Sequence, residues 1–124
     1  MIQHEGPGWR LARDSSRKGF PVLVGGDGWA VELTEVEFEA FVNLVGDLLT
    51  EFKRLEDQMM PEEIILLEIE RNNLWGCLEG KVSEWNMRFV LQSDSQSARG
   101  IEVSWKASAA QAIAFAMRTM WDSC

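Results

Sequence analysis

Residues that carry chemistry are scarce in this chain. There is one histidine and there are two cysteines among 124 residues. His4 lies near an N-terminus expected to be loose, so it reads as an incidental tail residue and not as a general base. Cys77 falls within a strand-like run and Cys124 ends the chain. A terminal cysteine makes a poor structural disulfide, and no C-x-x-C or Cys/His spacing suggests zinc. No Gly-x-Ser-x-Gly elbow is present. Gly25-Gly26-Asp27-Gly28 lacks the lysine and Ser/Thr of a phosphate loop and stands between strand-like runs, so it reads as a turn. With 20 acidic residues some close carboxylate pairs arise by chance, and none marks an acid–base site. No catalytic residue, metal or cofactor is therefore expected. The apolar runs are far short of a membrane span. Residues 1–20 hold Arg10, Arg13, Arg17 and Lys18 but no apolar block before a cleavage site, so the expected compartment is the cytoplasm.

What is present is an ordinary globular composition. Hydrophobic residues make up 46% and charged residues 26%, which fits one domain, residues 1–124, with a core of its own. The net charge of −8 is unevenly spread. Residues 1–26 carry +2, residues 27–79 carry −11, and residues 80–124 carry +1. The acidity belongs to the middle of the chain, and it bears on partners and solubility more than on fold.

Alternation predicts strands at Trp9–Arg13 and Phe20–Val24, with Trp29–Leu33 as a third strand or a continuation after a bulge. Thr34 and Glu37 fit a capping box, with Leu33 and Phe38 as a hydrophobic staple. Phe41, Val42, Val45, Leu48, Leu49, Phe52, Leu55 and Met59 follow at helical spacing, so a long helix is expected up to the Pro61 stop. Gly46 inside it suggests a close backbone approach. Glu63–Arg71 and Leu74–Val82 then read as a hairpin about Asn72-Asn73. This register pairs Arg71 with Leu74, Ile69 with Gly76, Leu67 with Leu78 and Ile65 with Gly80, which makes one face nearly all apolar or glycine. Gly76 and Gly80 on that face suggest a helix lying close to the sheet. The other face sets Ile64 across from Lys81, Leu66 from Glu79, Glu68 from Cys77 and Glu70 from Trp75. Asn86–Gln92, a polar loop at 93–97, and Ala98–Trp105 complete four strands. Ser108 and Gln111 fit a second capping box before a helix striped by Ile113, Met117 and Trp121. The expected fold is α+β: an antiparallel sheet of about six strands, with the long helix and the C-terminal helix packed on one face.

Four stretches carry a family resemblance: Gly8-Trp9-Arg10-Leu11-Ala12-Arg13-Asp14, Phe20-Pro21-Val22-Leu23-Val24-Gly25-Gly26, Trp29-Ala30-Val31-Glu32-Leu33-Thr34, and Leu74-Trp75-Gly76 with its flanks. On these the chain resembles the cyanobacterial family known as domain of unknown function 1818, over nearly its whole length. That family's fold is similar to the Whirly-type single-stranded-DNA-binding transcriptional regulators. The resemblance implies a fold and no chemistry, and it brings no catalytic residues with it.

Two surfaces emerge as candidates. The outer hairpin face, with Ile64, Leu66, Glu68, Glu70, Trp75 and Cys77, is half apolar, and such faces are often covered by a partner. It motivates a non-enzymatic binding or regulatory module that acts on a protein partner or on a second copy of itself. Arg10, Arg13, Arg17, Lys18 and Arg88, with Lys81 and Arg99, form the alternative, a basic strip for single-stranded nucleic acid. Glutamates beside Trp75 argue against phosphates at that tryptophan. A third expectation is a small ligand or pigment held between helix and sheet near Gly76 and Gly80.

Overall fold

The computed structural model describes residues 1–93 and 99–122. Residues 94–97 of the expected polar loop, Ala98 at the expected start of the last strand, Cys124 and the side chain of Trp121 lie outside the described residues. The element order is β1 (Ile2–Gly6), β2 (Trp9–Arg13), β3 (Val22–Gly26), β4 (Trp29–Leu33), α1 (Glu35–Glu56), β5 (Ile65–Arg71), β6 (Leu74–Gly80), β7 (Trp85–Leu91), β8 (Ile101–Trp105) and α2 (Ala109–Asp122). Four strands and a helix thus occur twice in succession.

The α+β class holds, but the single sheet of about six strands does not. The strands form two antiparallel meanders of four, β1-β2-β3-β4 and β5-β6-β7-β8. A further strand stands where a loose N-terminal tail is expected. Residues 2–6 form β1, which pairs Ile2 with Arg13 and His4 with Leu11. The turn at Pro7-Gly8, with Gly8 at φ 79°, lets the chain fold straight back. The Asp27-Gly28 turn does the same for β3 and β4, so Trp29–Leu33 is a separate strand.

The helices do not share one face either. Helix α1 packs on β5 and β6 of the second sheet. Helix α2 packs mainly on β1 and β2 of the first, while touching β7 and β8. Each helix thus covers strands of the sheet that it does not follow. Leu11, Val22, Val24 and Leu33 line the first sheet, and Leu74, Leu78, Met87, Phe89, Val103 and Trp105 line the second. Phe38, Phe41, Leu44, Val45, Leu48 and Phe52 enter this core from α1, and Ala110, Ile113 and Met117 from α2. Full burial of such side chains contributes about 1.5–3 kcal/mol each. Trp105 joins the two sheets: its indole Nε1 donates to the Gly25 carbonyl at 2.9 Å, and its ring meets Trp29 at 5.4 Å.

Helix α1 starts as expected, with reciprocal bonds between Thr34 and Glu37. It ends at Glu56, earlier than Pro61 required. Phe52 is its last buried residue, and Leu55 and Met59 beyond it are only half-buried. Gly46 meets nothing within 4 Å, so no backbone approaches there. At the start of α2, the Gln111 side chain donates to the Ser83 carbonyl at 3.1 Å instead of returning to Ser108.

Candidate functional site

The β5–β6 hairpin forms in the predicted register over all seven pairs, from Ile65–Gly80 to Arg71–Leu74. Asn72 takes φ 57° at its turn, a conformation asparagine tolerates. The ladder ends at Ile65, so the expected pair of Ile64 with Lys81 lies beyond it. Gly76 is a true close approach. A Cβ there would lie 2.7 Å from the Phe89 ring and 2.8 Å from Leu44 Cδ2. That space is filled by packing, which removes the expected ligand gap at this glycine. Gly80 serves the chain's own turn and not the helix. Its φ is 150°, and a Cβ would lie 2.3 Å from the Glu84 carbonyl as β7 folds back.

Register then places the outward residues of four strands in rows. Glu70, Trp75, Val90 and Glu102 form one row; Glu68, Cys77, Arg88 and Ser104 form the next; Leu66, Glu79 and Asn86 begin a third. All of these but Glu70, Val90 and Glu102 line an open concavity of about 410 Å³, closed at one end by Lys106 and floored in part by Met87 and Trp105. No described element of the chain covers the hydrophobic rim: Ile64 is 71% and Leu66 51% exposed. Trp75 is half-buried at the centre. The Arg88 guanidinium lies 5.0 Å from its ring centroid, and its Nε1 reaches Glu68 Oε2 at 3.4 Å. A cation over an indole contributes roughly 0.5–1 kcal/mol at an exposed site. Burial pushes the Cys77 thiol above its ordinary value, Arg88 opposes this, and Glu79 and Glu68 add to it. A thiol held protonated is a weak nucleophile, so packing is the role its surroundings suit.

The basic residues of the alternative strip do not gather on this face. Only Arg88 belongs to it. Arg13 pairs with Glu35 and lies over the Phe38 ring, and Arg17 pairs with Glu32. Arg99 bonds Glu37 at 2.8 Å and the Glu32 carbonyl at 2.6 Å, and covers Phe20. Arg10 and Lys18 are exposed on the first sheet and its β2–β3 loop. Sequence reasoning missed Asn86 and Lys106 as members of the concavity. The outward parity of Arg88 on the same strand was the signal that could have found Asn86.

Among the described residues no group of three or more His, Cys, Asp or Glu could hold a metal ion. Among them, too, no helix is long and apolar enough to cross a membrane.

A family model described as "Domain of unknown function (DUF1818)" matches residues 4–120. A solved structure from Prochlorococcus sp. NATL2A, described as a protein with unknown function from the DUF155 family, is 40% identical, with a TM-score of 0.90. That likeness covers 98% of this chain and 99% of the other. No curated protein matches.

Proposed function

Since the chain belongs to the family of domain of unknown function DUF1818, whose description names no chemistry, we propose its function from the outer face of the second sheet: a non-enzymatic binding module for a protein segment that is basic and apolar. One observation carries this reading. The uncovered concavity presents Leu66 and the Trp75–Arg88 pair beside Glu68 and Glu79, with Lys106 at one end, and Glu70 and Glu102 stand on the adjoining row of the same face. Apolar surface on a face where four carboxylates outnumber two cations suits lysine or arginine side chains flanking an apolar anchor. The same carboxylates repel phosphates, which argues against the alternative of single-stranded nucleic-acid binding. The arginines paired with Glu32, Glu35 and Glu37 are already engaged, which argues the same way.

Tryptophan fluorescence tests this with two probes, a synthetic peptide of alternating lysine and leucine and a labelled oligothymidylate, both at low salt. The peptide is expected to perturb the emission of the wild type and not of Trp75→Phe, and to bind less tightly to Glu68→Gln. Tighter binding of the oligonucleotide than of the peptide, weakened by salt, refutes the protein reading and favours nucleic acid.

A further inference from the structure

Strand β5 forms an edge of the second sheet, bonded to β6 on one side only. At seven residues it is longer than β1, β4 and β8, the other edge strands, which have five each. No proline, bulge or lysine interrupts Ile65–Arg71, and its charged residues, Glu68, Glu70 and Arg71, leave Ile65–Leu67 free of charge. The inward side chains of β6 and β7 are buried, Leu74 and Leu78 among them, whereas Ile65, Leu67 and Ile69 on β5 are only half-buried, because α1 covers them incompletely. Ile64 and Leu66 stand exposed on the other side. An edge with unpaired amides and apolar residues on both sides is a template for another strand.

We infer that β5 pairs antiparallel with β5 of a second copy about a two-fold axis at Leu67, joining two four-stranded sheets into one of eight. The charge pattern selects both partner and register. A two-fold axis normal to the sheet sets inward residues opposite inward residues. Centring it on Glu68 sets the two Glu68 carboxylates against each other, and centring it on Ile69 sets Glu68 against Glu70 twice. Centring it on Leu67 opposes Leu67 to Leu67, Ile65 to Ile69 and Leu66 to Glu68, with no like charges facing. It also carries Arg71 toward Glu63 of the second copy. Arg71 is exposed, donates to the Glu70 carbonyl at 3.0 Å and holds Asp47 only at 3.7 Å, so this contact would exchange weak surface partners for a carboxylate of the second copy. The inference shares Leu66 with the proposed partner site but rests on the backbone edge: Trp75→Phe is expected to remove the peptide signal and leave the dimer intact.

Sedimentation velocity of the full chain at rising concentration tests the pairing, with two substitutions at exposed Leu66. Leu66→Glu faces Glu68 of the second copy at two symmetric places and is expected to weaken the dimer roughly tenfold. Leu66→Lys removes the same apolar side chain but faces that glutamate with an opposite charge, and is expected to keep the dimer. Hydrogen exchange supplies a readout that needs no variant: β5 amides gain protection as concentration rises, and β8 amides do not. A monomer at every concentration overturns the inference. Equal weakening by both variants, or a dimer that leaves β5 exchange unchanged, overturns it as well.

Discussion

Two glycine-to-alanine substitutions in this protein are expected to shift stability in opposite directions. Gly76 and Gly46 both face the packing of α1 in the sequence pattern, but only Gly76 is enclosed. An added Cβ at Gly76 would lie 2.7 Å from two Phe89 ring atoms and 2.8 Å from Leu44 Cδ2. Leu44 can rotate away. Phe89 cannot easily do so, since it is fully buried and its ring meets Phe41 at 5.1 Å. Overpacking of this kind costs about 1–3 kcal/mol. An unfolding entropy of ~2.1 cal/mol/K per residue makes roughly 0.26 kcal/mol/K for a chain of this length, so Gly76→Ala should lower Tm by about 4–12 °C. Gly46 lies inside α1 with nothing within 4 Å of an added Cβ. There alanine gains helix propensity of about 0.8–1 kcal/mol, and Gly46→Ala should raise Tm by about 3–4 °C. Thermal unfolding followed by circular dichroism, with calorimetry to check two-state behaviour, measures both. Shifts of the same sign, or a neutral Gly76→Ala, would refute the claim that α1 and the second sheet meet in close packing at Gly76.

Three further outcomes follow from named contacts. Trp105→Phe removes the 2.9 Å bond to the Gly25 carbonyl together with part of a buried ring; it should cost at least about 1–3 kcal/mol in a urea titration, and an unchanged midpoint would show that the bond does not couple the two sheets. Thr34→Ala deletes the α1 cap and should cost about 1 kcal/mol, or roughly 4 °C in Tm, whereas Thr34→Ser should be close to neutral. In a Cys124→Ser background the alkylation profile of Cys77 should lie above the ordinary thiol pH range and move higher still in Arg88→Ala, because Arg88 is the opposing influence; a downward move refutes that. Because folding raises this thiol's pKa, its stabilising contribution is complete below the unfolded value, near 9.0, and is lost as pH rises through the folded value.

The second sheet was more legible in the sequence than the first, for a physical reason. Leu67, Ile69, Gly76 and Leu78 share one parity, and a slip by one residue would scatter them over both faces, so the hairpin register is over-determined. In β1 only Ile2 is apolar, and it is held by pairing with β2 and not by a pattern of its own. Nothing in the local sequence states that β1–β4 and β5–β8 form separate sheets, or that each helix packs on the opposite one. Those facts depend on contacts between residues far apart, such as Trp105 with Gly25. The candidate face was half legible. Trp75, Cys77 and the glutamates followed from hairpin parity, but Arg88 reached Trp75 only through the β6–β7 register, which depends on the backbone turn at Gly80–Glu84.

The uneven charge acquires a sharper meaning once the ion pairs are placed. Arg13, Arg17 and Arg99, from the basic ends of the chain, meet Glu35, Glu32 and Glu37 at the entrance to α1. Arg54 and Arg71 take up Glu51 and Asp47 further along the helix. On the outer face of the second sheet Glu68, Glu70, Glu79 and Glu102 outnumber Arg88 and Lys106. The two proposed contacts should therefore answer salt with opposite signs. A basic peptide in the concavity is drawn in by these carboxylates, and screening weakens that attraction as the Debye length falls to about 8 Å at physiological ionic strength. Pairing of two β5 edges brings together copies that each carry −8, so the same screening relieves repulsion and strengthens the dimer. Peptide affinity by fluorescence and dimer affinity by sedimentation, measured over one salt series, should diverge. If both weaken with salt, the two Arg71–Glu63 pairs outweigh the repulsion between copies and the net-charge argument fails; if both strengthen, the carboxylates of the concavity do not recruit the peptide.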